Sequence, residues 1–267
     1  MKEISMDFFR DEVRNGFFIP TAVKQAWAAQ LQVLDVIETI CRKHDITYFA
    51  DWGTILGTVR HGGYVPWDDD MDICMKREDY TRFKEAAKTE LPKDFRIHDY
   101  EHQEDHWLFL SRVANSVHIN FEPEHMKQFH NFPYIAGIDI FVLDYLYKDE
   151  QQEKQRCEEV KHIIAVADSI IAGEIAQPVK EANLIQLEEK YHKTFNRKLD
   201  NRHMGIELYR LAEEQMARVP KEESDRMAQI FPWGLLGNRG QDREYYEKFV
   251  RLPFENKIGR ASCRERV

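Results

Sequence analysis

The sequence predicts an α/β (α+β) fold, with a small sheet flanked by helices in the first half and a mostly helical second half. Three observations carry that reading. Apolar residues recur at helical spacing between Thr21 and His44. Short β-branched and aromatic runs follow at residues 46–50, 71–75 and 135–143, separated by helix-like stretches. From Asp149 to about Gln229 the pattern turns charged, helical and nearly strand-free. The chain is thereby parsed into an N-terminal extension (1–20), an α/β core (20–147), a helical region (148–256) and a terminal segment (257–267).

Taken in order, Thr21 after Pro20 is placed to cap the first helix. Its stripe is Val23, Trp27, Leu31, Leu34, Ile37 and Cys41, and Lys43 and His44 suit its C-terminal end. The run ITYFA reads as a strand, and residues 53–60 read as a short helix ending at Gly62-Gly63. After the strand 71–75, residues 78–90 return to helical period through Tyr80, Phe83 and Ala87 and stop before Pro92. Residues 106–113 and 117–121 look like strands, with Trp107, Phe109 and Phe121 as core residues. A strand there also keeps His98, His102 and His106, spaced four apart, from forming a zinc-binding helix face. The later helical stretch breaks near residues 173–178 and near Asn201.

The 267 residues carry 38 basic and 47 acidic side chains, a formal charge of −9. That balance, with 43% hydrophobic residues, argues against a disordered chain, a membrane-embedded one, or a protein that coats nucleic acid. The start MKEISMDFFRDEV carries acids where a signal peptide needs an apolar run, so a cytoplasmic protein is expected. Cys41, Cys74, Cys157 and Cys263 have neither zinc spacing nor a disulfide framework, and Cys41 and Cys74 read as small buried hydrophobes. Within the end KIGRASCRERV, residues 257–267, IGRASCRERV resembles a read-through tail from a cloning or assembly junction, and the segment is set apart from fold reasoning.

The chemistry concentrates in Trp67-Asp68-Asp69-Asp70-Met71-Asp72, where four carboxylates crowd into five positions and lead into an apolar strand. Strand alternation puts Asp70 and Asp72 on one side and Met71 on the other. Paired carboxylates suit a hard divalent cation. Asp139 is a lone acid among Ile138, Ile140 and Phe141, costly to bury without a partner, and supplies a third ligand if its strand lies beside the first. The Gly53-Thr54 turn, between a strand and a helix, offers backbone N–H groups to a phosphate. This is the minimum apparatus for phosphoryl or nucleotidyl transfer. Asp68, Asp70 and Asp72 also stand at positions one, three and five of a calcium loop, but Ile73 where glycine is required and Asp79 at position twelve break that pattern.

YFADWGTILGTVRHGGYVPWDDDMDICMKREDY, residues 48–80, and GIDIFVLD, residues 137–144, closely resemble the two motifs of the LicD family of phosphocholine transferases and fukutin-related proteins. The resemblance implies a nucleotidyltransferase-like fold. It also implies transfer of a phosphorylated alcohol, foremost phosphocholine, from a CDP-activated donor to a glycan hydroxyl, as in teichoic acid or lipopolysaccharide modification. It matches Gly53 and Thr54 to the donor-phosphate turn and Asp70, Asp72 and Asp139 to acids holding Mg²⁺ or Mn²⁺. Asp139 would double as general base. Asp68 and Asp69 fit the acidic run, with Asp68 also read as an anchor of the turn. Arg60, His61 and Arg112 are candidate phosphate contacts, and for Arg60 and His61 a plain helix-capping role stands beside that one. Trp233, Tyr245, Tyr246 and Phe249 offer a choline cage, and at helical spacing Tyr245, Tyr246 and Phe249 are read instead as packing residues. The expected partners are a CDP-alcohol donor and a glycan or lipid-linked glycan acceptor at the inner membrane face, with no nucleic acid and no transmembrane segment. The competing readings are a D-x-D metal-dependent glycosyltransferase, another nucleotidyltransferase, and an inactive family member acting as a binding module.

Overall fold

A computed structural model describes residues 4–230, 233, 239–247, 249–255 and 259–264. Two compact units result, one formed by residues 1–98, 110–143 and 244–267, the other by residues 99–109 and 144–243.

In the first unit the hairpin β1 (Glu12–Arg14) and β2 (Phe17–Ile19) turns at Asn15-Gly16, both at positive φ, the backbone that Asn-Gly adopts most readily. Helix α1 (Thr21–Lys43) follows, with Trp27, Leu31, Leu34, Ile37 and Cys41 all buried as their spacing requires. Thr21 is the first helical residue and not the cap. The orphan N–H of Thr21 is satisfied from outside the helix, by Asp11 Oδ1 at 2.6 Å.

The sheet runs β3 (Tyr48–Ala50), β4 (Asp72–Lys76), β7 (Gly137–Tyr147), β6 (Ser111–Ala114), β5 (Arg96–His98). β4 and β7 are parallel and the other neighbours antiparallel. Between them lie α2 (Trp52–His61), α3 (Arg77–Glu90) and α4 (Pro123–Gln128). Alternation decides the faces. Met71, Ile73 and Met75 with Ile138, Ile140 and Val142 join the core built on α1 and α3, so Asp72, Cys74, Asp139 and Phe141 point to the opposite face. The residues expected as a strand at 117–121 form none. Val117, Ile119 and Phe121 are exposed, and Asn115 instead ties this segment to Ala136 through its backbone and its side chain. Of residues 106–113 only the end is strand, and Trp107 is exposed, not core.

β10 (Phe249–Phe254) pairs with β11 (Gly259–Arg264). Glu255 follows β10 at positive φ and is buried. Its carboxylate accepts from Arg14 at 2.8 and 3.1 Å and from the Tyr64 amide at 2.9 Å, while its own N–H donates to Gly62 O at 2.7 Å. Gly63 is required there, because a Cβ would stand 2.0 Å from Glu255 Oε1.

In the second unit α5 (Glu150–Ile171), α6 (Gln177–Tyr191) and α7 (Asn201–Met216) enclose Val160, Ile163, Leu184, Met204, Leu208 and Leu211. Asp149 and Asp200 cap α5 and α7, accepting from Gln152 N and His203 N. The expected breaks fall between these helices. The strand β8 (Ser224–Ala228), paired with residues 144–147 of β7 and with β9 (Gln241–Asp242), is an addition to the helical reading. Among the described residues no helix is long and apolar enough to cross a membrane.

Candidate active site

The site grows from two chain reversals. After β3 the chain enters α2 through Asp51, and the first i→i−4 bond of that helix is Ile55 N to Asp51 O. The N–H groups of Gly53 and Thr54 therefore precede the helical ladder, where a helix leaves its donors to partners outside it. Before β4 the acidic run is held from behind by α1: Trp27 Nε1 donates to Asp68 O at 3.0 Å, and Gln30 Nε2 to Asp69 O at 2.7 Å. The two reversals are joined. Thr54 Oγ1 accepts the Asp72 N–H at 2.8 Å, and Asp51 N–H donates to Asp72 O at 3.0 Å. Gly53 faces the Asp68 carboxylate so closely that a Cβ would lie 2.1 Å from Oδ2.

The parallel register sets Asp72 beside Asp139, so their Cα atoms are about 4.8 Å apart, with both side chains on one face. On the other side of β7, Arg112 is the register partner of Asp139. Its Nε and Nη2 donate to the two Asp139 oxygens at 2.5 and 2.7 Å. The carboxylate oxygens that all lie within 4.8 Å of one another belong to Asp68, Asp69 and Asp70. Burial first, then Asp68, Asp69 and Asp139, pushes Asp70 up to about 6. Burial, Asp70, Asp139, Asp51 and Asp68 push Asp72 up to about 8. Arg112 is held above its ordinary value, first by its bond to Asp139 and further by Asp70 and Asp72. An all-oxygen donor set with this surplus of negative charge fits a hard divalent cation such as Mg²⁺ or Mn²⁺.

The structure thus brings together Gly53, Thr54, Asp68, Asp69, Asp70, Asp72, Asp139 and Arg112. Arg60 and His61 lie at the other end of α2, about 10 Å along its axis from Gly53. There His61 Nδ1 meets Asn15 Nδ2 at 2.7 Å, and its ring meets Trp67 edge-on at 6.1 Å. Of the later aromatic group, Trp233 stacks on Arg156 and Tyr246 packs against Phe49, each as a packing residue within its own unit. The Phe249 side chain lies outside the described residues. His102 pairs with Asp99 and buried His106 packs on Tyr100.

Sequence reasoning missed Asp51, Trp52, Trp27 and Gln30. Asp51 is buried and raises Asp72; its signal was an acid closing an apolar strand. Trp52 is partly exposed, sits at φ +40° and tilts against Phe141 at 5.8 Å. A bulky residue in that region is strained, as is common where a site fixes its backbone. Gln30 is a polar residue on the buried side of α1, and such a residue requires a partner.

Comparison with known proteins points to the same stretch of chain. Residues 45–165 match the model of LicD/FKTN/FKRP, nucleotidyltransferase domain. A stretch of 53 residues is 43% identical to the lipopolysaccharide cholinephosphotransferase LicD of Haemophilus influenzae, covering 20% of each chain. A stretch of 54 residues is 39% identical to an uncharacterised protein of Rickettsia typhi, covering 20% of this chain and 18% of that one. A third, of 48 residues, is 42% identical to an uncharacterised protein of Rickettsia prowazekii, with 18% of each covered. The matched stretches span about a fifth of these relatives.

Proposed function

On the premise that the chain belongs to the LicD family through residues 45–165, we propose that it transfers a phosphorylated alcohol, foremost phosphocholine, from a CDP-activated donor to a glycan hydroxyl. The observation that carries this reading is the joining of the two reversals: the Asp72 amide is bonded to Thr54, and Asp72 stands in register with Asp139. The turn that carries the Gly53 and Thr54 N–H groups therefore meets the acids that suit a cation.

In this reading Asp70, Asp72 and Asp139 hold Mg²⁺ or Mn²⁺, whose charge offsets that of the donor diphosphate. The N–H groups of Gly53 and Thr54 orient the diphosphate, and Asp68 and Asp69 shape the acidic wall. The acceptor oxygen bonds to the distal phosphorus as the bond from that phosphorus to the CMP oxygen breaks. The hydroxyl proton passes to the Asp139 oxygen that the cation does not take, and CMP leaves. Arg112 supplies a fork for phosphate oxygens. Arg60 and His61, at the far end of α2, are assigned to the periphery of the donor or acceptor site. The acceptor is a glycan or lipid-linked glycan met at the cytoplasmic membrane face.

The test is calorimetric binding of CDP-choline, CDP-ribitol and a UDP-sugar, each with and without Mg²⁺, to the protein and to Asp70→Asn. Mg²⁺-dependent binding of a CDP-alcohol, lost in the variant, is the expected result and identifies the cargo. Binding of the UDP-sugar alone replaces this reading with the D-x-D glycosyltransferase.

A further inference from the structure

Arg112 stands where two demands conflict. Its guanidinium takes both oxygens of Asp139. The proposed transferase function, on which the role of Arg112 rests, gives that carboxylate to a divalent cation. A carboxylate whose two oxygens face a guanidinium fork cannot present the same lone pairs to a metal ion, and a cation beside the guanidinium is repelled by it.

The surroundings show how the conflict is resolved. Asp139 is nearly buried, at 11% side-chain exposure, whereas Arg112 is 51% exposed. The carboxylate is therefore fixed and the arginine head is the partner able to turn into solvent. Its stem is seated: a Cβ on Gly137 would stand 2.9 Å from Arg112 Cδ and 3.0 Å from Cγ. The missing side chain at Gly137 is the groove in which that stem lies, so reorientation is confined to the outer torsions. The planar fork that fits a carboxylate fits a phosphate equally well. Asp70 and Asp72 lie close enough to act on the same guanidinium, which makes Arg112 a counter-charge to the cluster and not to Asp139 alone.

We infer that Arg112 is an exchangeable counter-ion: without a cation it occupies Asp139, and when a divalent cation takes that carboxylate the guanidinium turns to the donor diphosphate. The exchange conserves charge pairing, because the arginine–carboxylate pair opens as a cation–carboxylate pair and an arginine–phosphate pair form. It also links the two ligands, because a diphosphate that draws Arg112 away frees Asp139 for the cation, and linkage makes the effect reciprocal.

The experiment is calorimetric titration of Mn²⁺, with and without CDP, into the wild-type protein, Arg112→Gln, Arg112→Lys and Gly137→Ala. In the absence of CDP, Arg112→Gln binds Mn²⁺ about tenfold more tightly than wild type, because the competing charge is gone. The same variant binds CDP with Mn²⁺ about tenfold more weakly. Gly137→Ala keeps the charge but lifts the stem from its groove, so it shifts Mn²⁺ affinity in the same direction by a smaller factor. Arg112→Lys falls between wild type and Arg112→Gln. A purely structural arginine gives opposite behaviour: Asp139 loses its support and Mn²⁺ binding weakens or stays equal in Arg112→Gln, which overturns the exchange while leaving the proposed function standing. Failure of the folded wild-type protein to bind Mn²⁺ at all overturns the cation reading and the exchange together.

Discussion

Charge is buried in both units of this molecule, and the two treat it in opposite ways. In the helical unit Arg156 is fully buried, and both its charge and that of Glu153 are answered locally. Glu153 accepts from Arg156 at 2.7 and 3.0 Å and from the Tyr147 amide at 2.8 Å. Arg156 also donates to Met216 O at 2.7 Å and lies over the Trp233 ring at 4.8 Å. In the sheet unit, Asp51, Asp68, Asp69, Asp70, Asp72 and Asp139 converge, and Arg112 pairs with Asp139. The first arrangement pairs both charges within the fold, with Nε the one nitrogen of the Arg156 guanidinium left without a hydrogen-bond partner among the described residues. In the second, burial and the neighbouring carboxylates push Asp70 up to about 6 and Asp72 up to about 8. In the proposed function that surplus of negative charge is offset by a divalent cation.

The comparison breaks first if the buried pair is opened. Arg156→Ala leaves Glu153 buried without its partner and is expected to cost about 3–5 kcal/mol, read from urea unfolding, with Mn²⁺ affinity unchanged in the protein that remains folded. Replacing both, as Glu153→Leu with Arg156→Met, should recover only part of that loss, because the Tyr147 amide and Met216 O then lose their partners. The acidic cluster behaves in reverse. Asp72→Asn should lower turnover of a CDP-alcohol by about 10²–10³-fold, yet raise the thermal midpoint measured in chelator, since it removes a repelled carboxylate.

Acidity sharpens the contrast. Asp72 is pushed up to about 8 and Asp70 to about 6, against about 3.9 in an unfolded chain. The cation-free folded state thus holds protons that the unfolded state releases. Their contribution to stability is complete below about pH 4 and lost as pH rises through 6 and then 8. Midpoints in chelator should fall between pH 5 and 9, and saturating Mg²⁺ should remove most of the fall. A chelator profile that is flat, or that rises across this window, contradicts the electrostatic account. The smallest effect is expected for Gly53→Ala. Its Cβ meets only the end of the Asp68 side chain, which can swing away, so stability should change by less than about 1 kcal/mol. Cation affinity should weaken severalfold, and Asp68→Ala in the same protein should cancel the further effect of Gly53→Ala.

Much of this was legible because local signals and tertiary demands agreed. The α1 stripe named its own buried face, and Asp139 announced itself as an acid among β-branched residues. The opposite faces of Met71 and Asp72 followed from the pleat. Other features failed for physical reasons. Val117, Ile119 and Phe121 alternate like a strand, but a strand exists only where a neighbour accepts its hydrogen bonds, and periodicity carries no information about neighbours. β8 is short and polar, specified by residues 144–147 of β7 and by β9 and not by its own composition. The tethering of Asp68 and Asp69 by Trp27 and Gln30 joins positions 41 and 39 residues apart, beyond the reach of any local pattern.

The clasp at Glu255 sets an order of events in the life of the chain. Its ion pair with Arg14 spans 241 positions, and its bond from the Tyr64 amide spans 191. Loops of that length close slowly and late. During synthesis from the N-terminus, the β1–β2 hairpin and the Gly62-Gly63 turn wait without their buried carboxylate until residue 255 has left the ribosome. Through that interval Tyr64 lacks the acceptor for its amide and the Arg14 guanidinium lacks its partner, so the nascent sheet unit is a species of lower stability than the finished one.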